Sequence, residues 1–100
     1  QRFEEGVRLE VQQAWQDLHT AGIRYATAKS TLKAAAEAVR VRESRFKQGL
    51  DKMIDLLDAE TGLREAETRE MVARYDVTLD TNRLQYVAGA TLIDTTEDSQ

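Results

Sequence analysis

Asp55 and Asp58 stand three residues apart in a stretch of helical periodicity, which puts both carboxylates on one helix face. Such a pair can share a proton, hold a cation or, repeated by symmetry, line an acidic ring that attracts cations at a polar opening. Proton chemistry requires a cleft that shifts a pKa, and metal binding requires further ligands; the sequence shows neither. His19 is the only histidine, has no Glu-x-x-His or His-x-x-x-His spacing, and reads as a surface residue. The chain has no cysteine, so a thiolate metal site and a disulfide framework are both excluded. No enzyme, cofactor or metal is expected. The dipole at a helix start accounts for Asp51 and Asp55, whereas Asp58 lies too far along to gain much from it.

Just before this pair, Lys47-Gln48-Gly49-Leu50-Asp51 combines a helix end, a glycine suited to positive φ, an apolar residue and a helix-starting aspartate. Capping alone explains an ordinary αα-turn of this kind. Leu50 is the exception, because an apolar side chain at a turn apex has no interior to enter and can serve as a docking knob. Arg40, Arg42, Arg45 and Lys47 cluster where a helix C-terminus favours cations, and they can also pair with the acidic start of the returning helix.

The elements that position these residues follow from two periodic runs. Val7, Val11, Ala14, Leu18, Ala21, Tyr25, Ala28, Leu32, Ala35, Val39, Arg42 and Phe46 recur in fours and threes, a heptad seam that only Arg42 interrupts with a charge. The long stem of an arginine can still lie along an apolar groove. The period resumes as Leu56, Ala59, Leu63, Ala66, Glu70, Ala73, Val77, Asp80, Leu84 and Val87, with Glu70 and Asp80 as breaks. The spacing predicts an all-α, long antiparallel coiled-coil hairpin over residues 1–89, with arm one at about 3–47, the tip at 48–51 and arm two at about 52–88. Gly89 reads as the helix stop, and residues 90–100 read as a disordered polar tail.

Each arm also carries a second apolar face, Trp15 and Ile23 on the first and Val72, Tyr75, Leu79 and Tyr86 on the second. Two arms bury one seam between them, so the second faces point to an assembly or a larger helical barrel. The composition agrees with helix throughout: 100 residues, no proline, five glycines, 41% hydrophobic and 32% charged. A net charge of −4 offers nucleic acid no evident basic surface. No apolar run approaches the roughly 20 residues of a membrane-spanning helix, and the first residues do not form a signal peptide.

The pattern Arg45-Phe46-x-x-Gly49-Leu50-x-x-x-Ile54-Asp55-Leu56-Leu57-Asp58-Ala59-Glu60-x-x-Leu63-x-x-Ala66, followed by Ala73-Arg74-Tyr75 and ending at Ala88-Gly89, resembles the TolC-like outer-membrane efflux channels, or outer membrane factors. The likeness is to the second of their two repeats, spans roughly Val11 to Gly89, and is most specific in the Gly-to-LLDAE block. It implies a homotrimer whose hairpins form a periplasmic α-barrel beneath an outer-membrane β-barrel in a Gram-negative bacterium, for efflux or type I secretion. Membrane contact would come only through parts outside these residues. The resemblance further implies that Gln48, Gly49 and Leu50 form the tip that docks hairpins of a periplasmic adaptor, a membrane fusion protein, and through it, indirectly, an inner-membrane pump. Asp55 and Asp58 then fall where members ring the entrance with cation-binding carboxylates. Gln48 replaces an apolar residue of the family's apex, Phe46 stands where some members have tyrosine, and Asp51 where some have a basic residue. The alternative is a free-standing coiled-coil adaptor or scaffold module. A ferritin-like enzyme is disfavoured by the missing Glu-x-x-His motif.

Overall fold

In a computed structural model the backbone is described from Arg2 to Asp98, and the side chains of residues 5, 6 and 8–90. Two helices account for almost all of it: α1, Arg2–Lys47, and α2, Met53–Asp98. The protein is an all-α antiparallel coiled-coil hairpin with no strand among the described residues. No helix is long and apolar enough to cross a membrane among those residues. Val7 and the residues beyond Ala90 lie outside the described side chains.

The chain divides into two compact units, Arg24–Arg74 and Gln1–Ile23 with Tyr75–Gln100. In the first, the tip unit, Leu56, Ala66 and Ala73 are buried, and Tyr25, Ala28, Leu32, Ala35, Val39, Phe46, Ala59 and Leu63 are half-buried. In the second, the base unit, Ala14 and Ala21 are buried, with Val11, Leu18, Val77, Leu84 and Val87 half-buried. These are the heptad positions of both arms. Among the described residues four of the five buried ones are alanines, so the helices meet through small side chains. The arms of the base unit are also tied by Arg83 Nη1, which donates to Asp17 Oδ2 at 2.7 Å across 66 residues of sequence.

Among the described seam residues of α1, Arg42 is the exception: it is exposed and directs its charge to Asp51 in the turn. Glu70 and Asp80, the charged breaks in α2, are half-buried. The side chains assigned to second faces remain open: in the base unit Trp15, Ile23, Tyr75, Leu79 and Tyr86 are all exposed, as is Val72 in the tip unit. Trp15 and His19, one helical turn apart, stack with ring centroids 5.5 Å apart and an interplanar angle of 2°, leaving His19 at the surface.

The end of the second arm differs from expectation. α2 does not stop at Ala88 but continues through Gly89 to Asp98, so the stretch read as a disordered tail from Ala90 is helical backbone to that point; Ser99 and Gln100 lie outside the described residues. Gly89 does not take positive φ, and Gly49 alone among the described glycines does. A glycine within a helix costs roughly 1 kcal/mol relative to alanine, and α2 continues through Gly89 despite that cost.

Candidate functional site

The turn between the helices is built by hydrogen bonds that follow from glycine's conformational freedom. Gly49 has φ +76°, so its N–H donates to Phe46 O at 3.0 Å, and the N–H of Leu50 donates to Arg45 O at 2.8 Å. These two bonds, spanning three and five residues back, are the paired contacts of a Schellman helix end. They satisfy carbonyls that the last turn of α1 would otherwise leave open. Replacing Gly49 by alanine is expected to cost about 1 kcal/mol, because no atom lies within 4 Å of the added Cβ and backbone strain acts alone. Gly62→Ala, at an equally open site inside α2, is expected to stabilise by about 0.5–1 kcal/mol, so urea melts of the two variants should shift in opposite directions.

Leu50 follows this glycine and is 60% exposed. At a Schellman end the residue after the glycine commonly packs on the helix residue five positions back. That residue is Arg45, whose guanidinium is engaged by Asp51. Met53, Ile54 and Leu57 are exposed as well. Met53, Ile54 and Leu57 share one face of α2, and Leu50, in the turn before it, extends their spacing only in the sequence. Gln48 is exposed, its amide 3.5 Å from Ser44 Oγ.

Asp51 does not start α2 as its place in the sequence suggested. Its side chain is 6% exposed and lies between two arginines of α1: Arg42 Nη1 donates to Oδ2 and Arg45 Nε to Oδ1, both at 3.1 Å. Burial works against ionising this carboxyl, but the hydrogen bonds from Arg45 and Arg42, with their charges, outweigh it and hold its pKa below the usual carboxylate range. The pairing of the basic cluster with the acidic start of the return is thus made at Asp51. The other cations of that cluster pair within α1, Arg40 with Glu37 at 2.6 Å and Lys47 with Glu43 at 3.4 Å.

The start of α2 is capped by Asp55 instead. Its Oδ2 accepts from the Lys52 N–H at 3.3 Å, while Lys52 O accepts from the Asp55 N–H at 3.1 Å, a reciprocal arrangement of the capping-box type. Asp55 is half-buried. Asp58 sits one turn further on, exposed to solvent. The two predicted carboxylates therefore differ: one is occupied by the backbone of its own helix, the other projects freely. No group of three or more His, Asp or Glu side chains that could hold a metal ion occurs among the described residues.

The tip thus presents two kinds of surface, exposed apolar side chains from Leu50 to Leu57 and the outward carboxylate of Asp58, on a turn held by backbone bonds and by the ion cluster of Asp51 with Arg42 and Arg45. Comparison of the chain with family models, with curated proteins and with solved structures finds no match.

Proposed function

We propose that the chain is a periplasmic α-barrel segment of a trimeric outer-membrane efflux or type I secretion channel, which docks an adaptor hairpin through its tip and lines the entrance with carboxylates. The observation that carries this reading is the exposed apolar row Leu50, Met53, Ile54 and Leu57 beyond a positive-φ glycine, within the Gly-to-LLDAE block that resembles that family. Four large apolar side chains at the end of a hairpin have no use within the chain itself. The exposed second faces of both arms, Trp15 and Ile23 on α1 and Tyr75 and Tyr86 on α2, support packing between neighbouring hairpins. In this reading the mechanism is passive. The adaptor engages Gly49 and Leu50, neighbouring helices shift past one another, and the charge at the mouth selects ions.

The acidic ring has its own test. In the full-length channel in a planar bilayer, Asp55→Asn with Asp58→Asn is expected to weaken block by divalent cations by about tenfold or more. Asp58→Asn alone should account for most of this, because the carboxylate of Asp55 already accepts from the Lys52 N–H. Unchanged block in the double variant would refute the ring.

A further inference from the structure

At the tip, Asp51 is the one side chain withdrawn from solvent between exposed neighbours, Leu50 before it and Lys52 after it. It caps no helix, since Asp55 performs that task for α2. Its two oxygens instead take one hydrogen bond each from Arg42 and Arg45, which lie one turn apart on α1. Arg45 is then bound twice by the turn, through its carbonyl to the Leu50 N–H and through its guanidinium to Asp51.

Going beyond the docking role, and resting on it only for the biological consequence, we propose that Asp51 is a positioning residue: by occupying Arg45 it denies Leu50 the stem it would otherwise cover, and so keeps the knob turned outward. The physical reason lies in the geometry of this helix end. A Schellman end brings the residue after the glycine over the side chain five positions back. The methylenes of an arginine are an adequate apolar surface for a leucine when the charged head can reach water. Here the head is fixed on Asp51, and Leu50 stays 60% exposed. Releasing Asp51 frees the stem and lets Leu50 fold onto it.

The test is hydrogen exchange and nuclear Overhauser contacts on the whole chain carrying Asp51→Asn. The Leu50 amide is expected to exchange about fivefold faster, with new contacts between the Leu50 methyls and the Arg45 methylenes, while the amides of Leu32, Val39 and Leu63 keep their rates. Arg45→Met, which offers Leu50 an uncharged stem, should produce the same contacts with Asp51 intact. Acidification provides a second arm. The carboxyl's folded pKa is lowered, so the clamp is fully in force above about pH 4 and is lost as pH falls through the lowered value. Glu43, Lys47, Lys52 and Asp55 are the other charged groups at neighbouring positions, so the Asp51→Asn chain is the control and should lack the acid-induced Leu50 contacts. Unchanged exchange and no new contacts in Asp51→Asn would overturn the proposal. So would a general loss of helicity, since a local clamp does not hold the arms together. If Leu50 responds as expected but Leu50→Asp still docks an adaptor, the clamp stands and the docking role falls.

Discussion

Ala66→Glu is expected to part the two helices of the tip unit, at a cost of about 3 kcal/mol or more. Ala66 is 4% exposed, and it is one of the small residues through which α1 and α2 meet. A glutamate there either brings an unpaired carboxylate into the seam or forces the helices apart. The first costs the desolvation of the carboxylate, and the second forfeits the burial of Leu56 and Ala73, the other closed positions of that unit. The matched control is Ala34→Glu, which makes the same chemical change at an exposed position of α1 and is expected to stay within about 0.5 kcal/mol of the parent. Because alanine and glutamate are both good helix formers, intrinsic propensity contributes little to the difference. Thermal and urea melts followed by circular dichroism would measure it. Equal melts for the two variants would show that Ala66 is not a point of helix contact.

The second large effect concerns partner binding. In the full-length channel, Leu50→Asp is expected to weaken binding of the adaptor about 30-fold or more, the scale of losing one desolvated anchor of an interface. The hairpin itself should survive, since Leu50 makes its turn through its backbone N–H and its side chain is exposed. That separation makes the experiment decisive, because a folded variant that binds the adaptor as tightly as the parent would remove Leu50 from the interface. Ile54→Ser and Met53→Ser, at the neighbouring exposed positions, should each cause a smaller loss. Export of cargo in cells should follow the order of the binding constants.

Arg42 shows where reading by period reaches its limit. Its place in the heptad suggested that its stem would lie in the groove, yet it is exposed and its head goes to Asp51. Periodicity ranks positions by face, but it carries no information on which charge nine residues away will be brought alongside after a reversal. Asp51 and Asp55 exchange roles for the same reason. Both are acidic and both lie at a helix start, and only the turn geometry decides that Asp55 reaches the Lys52 N–H while Asp51 faces the arginines. The apolar row beside Leu50 was legible in principle, because its spacing is plain in the sequence; that the row stays exposed was not.

The sequence by itself determined the all-α class, the reversal between two arms and the faces on which they meet, because heptad spacing is a property of the covalent chain and a helix converts it directly into a stripe. Of the first seam, every residue with a described side chain from Val11 to Phe46 is buried or half-buried except Arg42. Tertiary structure decided what depends on a neighbour. Gly49 and Gly89 are the same residue type at two apparent helix ends, yet one takes positive φ and the other continues the helix. Glycine's backbone freedom permits both, so the residue type alone does not choose between them. The withdrawal of Asp51 from solvent was settled in the same way, by the two arginines that the turn brings within 3.1 Å of its oxygens.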